Sequence, residues 1–491
     1  MRTRRKPNIL WILPDQLRGQ ALGCAGDPNA LTPSIDRLAA AGARATCAIS
    51  PYPICSAARA ALLTGCHAHI AGLTRHGDLL PPDRRCAGHH FAAAGYKTCW
   101  IGKWHLAGVQ GAGGWKEGED YWVHPLLRGG FDDWQAFDCS NNLHTSLYSD
   151  GDTIWPPQTL HGYQTDALTD LYLNWLDGQK HSDQPWFACL SVEAPHRGTD
   201  VEGNYCNWAP AADMACFDAD TLTLRDNVPA DIEAEARKSL AGYYAQIRNV
   251  DANVARVLQR LDDLGIADNT IVMLFSDHGE LGGSHGMFEK NEPFDESLRI
   301  PFIVRGPGIA TETVIAGPVS LIDVVPTCCG LAGIPAPPCQ GQDWSGHLRG
   351  TSAAPVSAAL SQWLGPARYG FGNFSWRALR TQNHLYCLGS EERHCLLFDM
   401  DHDPLQQHNL FDDPQAADLQ ANLHQQLLTA ICDSGEALPQ WLHDKGRSTA
   451  IALPRLNQRG MDATQALCRS GPLGIGDELM VLPATGSDNT G

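Results

Sequence analysis

Between Ala236 and Leu264 the apolar residues Tyr243, Tyr244, Ile247, Val250, Val254, Val257, Leu258, Leu261 and Leu264 recur at intervals of three and four. That spacing places them on one face of a long helix, and Gly265 supplies its stop. An unbroken apolar run, Thr270–Ser276, follows within a few residues. Such a run suits a strand buried on both faces, as the middle of a parallel sheet requires. The same grammar appears upstream. Asn8–Leu13 is a second buried-strand run, Thr32-Pro33 predicts a capped helix start with proline in its first turn, and Gly42 closes that helix. Tyr96–Ile101, Trp186–Val192 and Ile300–Val304 are further strand candidates. Strands alternating with helices across short loops predict an α/β fold: a large doubly wound sheet, mixed but mostly parallel, flanked by helices.

At 491 residues the chain exceeds one small core. Its texture turns Pro- and Gly-rich around Pro335–Gly350, and beyond that Leu385–Cys387 and Leu396–Asp399 read as short strands, with a helix near Ala416–Ile431. The predicted division is a large α/β domain over 1–345, a smaller C-terminal α+β domain over 346–450, and an irregular tail over 451–491. A formal net charge of -19 argues against a nucleic-acid partner, though an acidic chain can still hold an anion in a locally basic pocket. The 17 cysteines are scattered without paired metal-ligand spacing, so buried thiols are expected, the adjacent Cys328 and Cys329 included. The run Ile9–Leu13 behind the basic N-terminus is shorter than a signal-peptide core of about 7–15 residues. No stretch approaches the ~20 apolar residues of a membrane span. A cytoplasmic location without membrane contact is therefore expected.

Chemistry-bearing residues cluster where the predicted strands end. Asp15-Gln16 follows the first strand, and Asp277-His278 follows Thr270–Ser276. Either pair alone is explained by helix or turn capping. Two pairs after two central strands suggest convergence on one divalent cation, with oxygen ligands suiting a hard metal. Cys55-Ser-Ala-Ala-Arg59 opens a predicted helix, Ser56–Thr64, whose positive end favours a thiolate or a bound anion. Arg59 returns one turn later on the same face, within reach of Cys55 or its ligand. Lys103-Trp104-His105, His196 and Lys290 also lie beyond predicted strands, and each alone would pass for a surface or structural residue.

Taken together and in this order, these motifs resemble the sulfatase family of the alkaline-phosphatase-like superfamily. The resemblance runs from Asn8 to about Gly308 on Cys55-Ser-Ala-Ala-Arg59 with Leu63-Thr64-Gly65, Gly102-Lys103-Trp104-His105-Leu106, His161-Gly-Tyr-Gln-Thr-Asp166 and Phe275-Ser-Asp-His-Gly-Glu280. It continues weakly to Asp399–Asp403 and Asn409-Leu410. The resemblance implies a sulfuric ester hydrolase acting on a small-molecule or saccharide sulfate ester. It implies that a maturase oxidises Cys55 to formylglycine, whose hydrated aldehyde is the nucleophile. Asp15, Gln16, Asp277, His278 and residue 55 would hold one divalent ion, calcium in most of the family, with Mg2+ or Mn2+ as alternatives. Lys103, Lys290 and the metal would bind the sulfate, and His196 with Lys290 would protonate the leaving alcohol. His105 would take the proton that releases sulfate, and Arg59 would orient the formylglycine.

Two departures qualify the match. Gln16 and His278 stand where many sulfatases have Asp and Asn, a choice shared with phosphonate monoester and phosphodiester hydrolases of the superfamily, which are the alternative reading. Ala57 replaces a frequent proline, which leaves the maturase type open. A non-catalytic anion-binding protein, with Cys55 left as a thiol, is the third possibility. Trp115, Tyr121, Trp122, Trp134, Asn141, Asn142 and His144 are candidates to line a sugar site, against a local-packing role for the tryptophans.

Overall fold

Strand β1 (Asn8–Asp15) is buried along its whole length because its two faces meet different cores. Ile9, Trp11 and Leu13 enter one apolar cluster, and Leu10 and Ile12 enter another across the sheet. The computed structural model describes residues 5–108, 121–153, 156–355, 358–365 and 374–442. Among these, ten strands form one sheet. The others are β2 (Ala43–Ala45), β3 (Lys97–Lys103), β4 (Asp133–Phe137), β5 (Leu147–Asp150), β6 (Gln158–Thr159), β7 (Trp186–Pro195), β8 (Thr270–Phe275), β9 (Phe302–Arg305) and β10 (Thr313–Ile315). Their order is β10-β2-β9-β8-β1-β7-β3-β4-β5-β6. The block β8-β1-β7-β3-β4 is parallel throughout. Beyond it, β9 and β5 run antiparallel to their inner neighbours. The sheet is therefore mixed and mostly parallel, as expected.

The helices of eight residues or more among the described residues of this domain are α1 (Pro33–Ala40), α2 (Cys55–Thr64), α3 (Gln164–Asp177), α4 (Glu233–Asp263) and α5 (Val324–Ala332). Helices α1, α2 and α4 occupy the predicted places with small shifts, and α3 and α5 add to the predicted set. Helix α1 corrects one expectation: the Thr32 side chain makes no capping bond. Asp251 of α4 instead accepts from the Ser34 and Ile35 backbone N–H groups at 2.9 and 2.7 Å. A cap from a distant helix satisfies the orphan donors and ties α1 to α4.

The small C-terminal domain is an antiparallel meander of β11 (Ala359–Trp363), β12 (Trp376–Arg380), β13 (His384–Gly389) and β14 (Leu396–Asp399). Helix α6 (Ala417–Asp433) covers one face through Leu423, Leu427, Leu428 and Ile431. The other face, with Trp363, Trp376 and Phe398, merges into a core of the large domain. Among the described residues, no helix is long and apolar enough to cross a membrane. The expected tail over 451–491 lies outside the described residues.

Candidate active site

The two central strands deliver buried carboxylates. Asp15 closes β1, Asp277 follows β8, and both are fully buried. Arg59 of α2 lies between them. Its Nε donates to Asp277 Oδ2 at 2.9 Å and its Nη2 to Asp15 Oδ2 at 3.1 Å. Nη1 donates to Ser191 Oγ at 2.9 Å and to the Lys103 carbonyl at 3.0 Å. Arg59 thus reaches Cys55 indirectly, by fixing the carboxylates that flank it.

Cys55 is the first residue of α2, which begins one residue earlier than the pattern suggested. Its Sγ lies 3.3 Å from Asp15 Oδ1 and 3.0 Å from His278 Nε2. Burial, with Asp15 alongside, pushes the thiol up to about 12. Helix placement alone therefore does not make it a thiolate here. Potential ligand atoms of Asp15, Cys55, Asp277 and His278 all lie within 4.8 Å of one another. His278 Nδ1 is bonded to the Gly279 carbonyl at 3.0 Å, so it carries the proton and leaves the Nε2 lone pair facing the cluster. Two carboxylates and a neutral imidazole fit a divalent cation. Gln16, the remaining expected ligand, is differently engaged. Its amide oxygen accepts from Lys290, and its NH2 donates to Glu280 and Glu289.

Above the cluster a cavity of about 340 Å³ is lined by Cys55, Lys103, His105, His196 and Lys290, among others. Lys103 Nζ pairs with Asp15 Oδ2 at 2.9 Å, and the buried anions around it hold it protonated. Lys290 Nζ lies 2.9 Å from His196 Nε2, while His196 Nδ1 donates to the Arg197 carbonyl at 2.6 Å. His196 Nε2 is accordingly an acceptor, and burial beside Lys290 holds the ring neutral. His105 is likewise held neutral by burial and Lys103, and it meets His76 edge-on at 4.7 Å.

Backbone details explain how these groups reach the cavity. Gly102 takes φ +97, and a Cβ there would lie 1.9 Å from the Ser191 carbonyl oxygen. Gly102→Ala is therefore expected to cost about 2–5 kcal/mol through strain and overlap together. An unchanged thermal melt would contradict this. The loop carrying Lys290 is braced by the small domain. Trp376 Nε1 donates to the Asn291 carbonyl at 2.9 Å, Arg393 and His394 reach Glu292 at 2.9 and 2.8 Å, and Arg380 pairs with Asp295 at 3.1 Å.

Several residues around the site carried no local signal. Glu193, buried at the end of β7, accepts from the Asn141 backbone N–H at 3.0 Å and from Gln164 Nε2 at 2.7 Å, and Lys103 lies 3.5 Å away. Gln164 and Asp166 of the His161–Asp166 motif thereby act as scaffold, with Asp166 accepting from Asn253 of α4 at 2.7 Å. His76, Arg197, Tyr205 and Glu289 also line the cavity. Of the proposed sugar-lining set, Asn141 is on its wall. Trp134 is buried against Trp104, Asn142 accepts from its own turn, and His144 is bonded to the Asp200 carbonyl. Trp122 packs on His124, and Trp115 lies outside the described residues.

A buried Asp–Cys–Asp–His cluster thus lies beneath a cavity lined by Lys103, Lys290 and Arg197 at the ends of the central strands. Residues 7–334 match the family described as Sulfatase, and residues 283–433 match N-sulphoglucosamine sulphohydrolase, C-terminal. The chain is 34% identical over 437 residues to an ulvan-active sulfatase of Formosa agariphila, covering 88% of this chain and 82% of that protein. It is 29% identical over 384 residues to an endo-4-O-sulfatase of Bacteroides thetaiotaomicron, covering 71% and 73%. The crystal structure of yidJ from Bacteroides fragilis superposes with a TM-score of 0.80 at 26% identity, covering 90% of this chain and 99% of that one. The chain belongs to the sulfatase family and is a sulfuric ester hydrolase.

Proposed function

We propose that this sulfatase removes sulfate from a sulfated carbohydrate, using a formylglycine that a maturase makes from Cys55. The observation that carries the reading is the position of Cys55, at the foot of a cavity ringed by Lys103, His105, His196 and Lys290. The ulvan-active and endo-4-O names of two relatives support a saccharide substrate. Asp15, Asp277, His278 and residue 55 would hold one divalent cation, with Gln16 beside them. The carboxylates favour a hard cation, calcium with Mg2+ or Mn2+ as alternatives, and the imidazole nitrogen weighs toward Mn2+ among the three. Such a cation would supply Lewis-acid polarisation of sulfate oxygen and of the nucleophile. Oxidised and hydrated, Cys55 would supply a geminal diol: one hydroxyl to attack sulfur, the other to collapse and expel sulfate.

The remaining work falls to the chain's own groups. Lys103 and Lys290, both held protonated, bind the sulfate oxygens and stabilise charge developing on them. Lys290 and His196 share one hydrogen bond, so the pair can pass a proton to the departing alcohol oxygen. His105, neutral and with Nδ1 unbonded among the described residues, is the base for the proton that must leave the second hydroxyl.

Two measurements follow. Aryl sulfate is expected to exceed aryl phosphonate monoester in kcat/KM, and a clear phosphonate preference would replace this reading with the alternative suggested by Gln16 and His278. Lys290→Ala and His196→Ala are expected to lower kcat/KM by about 10²–10⁴-fold on alkyl or sugar sulfates, the usual worth of a general acid. The loss should shrink on nitrophenyl sulfate, whose leaving group needs no proton. Equal losses across leaving groups would remove the acid role.

A further inference from the structure

We infer that Arg197 selects sulfate esters whose alcohol portion carries a second anionic group beside the scissile sulfate. The inference rests on the carbohydrate reading above and deepens it.

Three permanently charged cations line the cavity among the described residues: Lys103, Lys290 and Arg197. The first two are enclosed, with side chains 1% and 6% exposed, and they face the cluster and the sulfate position. Arg197 is different, at 41% exposed. It sits one residue past His196, whose ring is bonded to the Arg197 carbonyl. Arg197 lines the cavity on the side of the group that meets the departing alcohol, which is where the rest of the substrate must lie.

Its geometry leaves a recognition face open. Glu289 pairs with Nε, and the half-exposed Tyr205 ring lies 5.2 Å from the guanidinium carbon. These two contacts fix the plane of the group from its stem and one face. The two terminal nitrogens donate no hydrogen bond among the described residues, and the pair with Glu289 approaches most closely through Nε. A held guanidinium with free terminal N–H groups matches a carboxylate or a sulfate in bidentate fashion. In a chain of net charge -19, a second anionic group gains only where a local cation meets it.

The two sources of that anion, a sugar carboxylate and a second sulfate, separate in one experiment. The kcat/KM for sulfate release is measured on a sulfated uronoside and its methyl ester, and on a disulfated sugar and its monosulfated counterpart, with nitrophenyl sulfate as reference. The native enzyme is expected to favour the charged member of at least one pair by about tenfold or more, the scale of a charge-assisted bidentate contact. Arg197→Ala should bring that ratio close to one, and Arg197→Lys should keep part of it. The ratio is internal to each variant, so a general loss of activity does not mimic the effect. Equal use of both members by the native enzyme, or an unchanged ratio in Arg197→Ala, overturns the inference. Release from nitrophenyl sulfate but from none of the sugars would instead sink the carbohydrate reading, and this inference with it.

Discussion

Cys55→Ala is expected to abolish sulfate release, lowering kcat by about 10⁴-fold or more, the scale seen when a nucleophile is removed. The thiol is buried and fills little space, so the variant should fold. Asp15, Asp277 and Arg59 keep their mutual contacts without it. Cys55→Ser makes the sharper comparison. A serine places one oxygen at the same helix start, where Sγ now lies 3.3 Å from Asp15 and 3.0 Å from His278. Once sulfated, that oxygen has no geminal partner with which to break its own C–O bond. A burst of at most one equivalent, without turnover, is therefore expected. Sustained turnover by either variant within tenfold of the parent would show that residue 55 is not the nucleophile.

Arg59→Met is expected to destabilise the metal-free protein by about 3–5 kcal/mol, because it strands the buried carboxylate of Asp277 and removes one of the two cations on Asp15. Asp15 would keep Lys103 at 2.9 Å, but Asp277 would lose the guanidinium that now lies at 2.9 Å. For a chain of this size the melting midpoint should fall by roughly 3–7 °C. Methionine keeps much of the volume, so the effect reports charge rather than a cavity. A divalent cation bound by the same carboxylates supplies the missing positive charge, and it stabilises by mass action. Calcium added to chelated protein should therefore raise the midpoint more in the variant than in the parent. Arg59→Lys should fall between them, since an ammonium cannot serve two carboxylates, Ser191 and the Lys103 carbonyl together. Equal midpoints in the chelated proteins would mean that Arg59 does not hold the cluster together.

Much of the scaffold was legible because it depends on local pattern. The 3.6-residue spacing of α4 and the continuous runs of β1, β7 and β8 follow directly from which faces must be buried. The candidate residues from Asp15 to Lys290 were legible as a set through the family resemblance. Their neighbourhoods alone supported only caps and an anion-friendly helix start. What stayed hidden depends on contacts between distant segments. Asp251 caps α1 from more than two hundred residues away. Glu193 reads as one more strand residue until Gln164, Asn141 and Lys103 converge on it. Gln16 reads as a ligand, and no local pattern announces that its carbonyl oxygen also accepts from Lys290. The aromatic-rich stretch around Trp122 and Trp134 suggested a sugar wall, yet Trp134 went to the core and the exposed wall came from Tyr205 and Arg197. No periodicity marks a residue that is exposed beside a cavity rather than exposed to bulk water.

The central claim is that the nucleophile begins as Cys55. The most direct test is the mass of the peptide containing residue 55, taken from protein that releases sulfate. Conversion to formylglycine predicts a mass lower by about 18 Da; hydration of the aldehyde brings the mass back almost to the parent value, and aldehyde-specific labelling then separates the two. An active preparation whose Cys55 peptide is wholly unshifted, alkylates as a thiol and takes no aldehyde label would contradict the account.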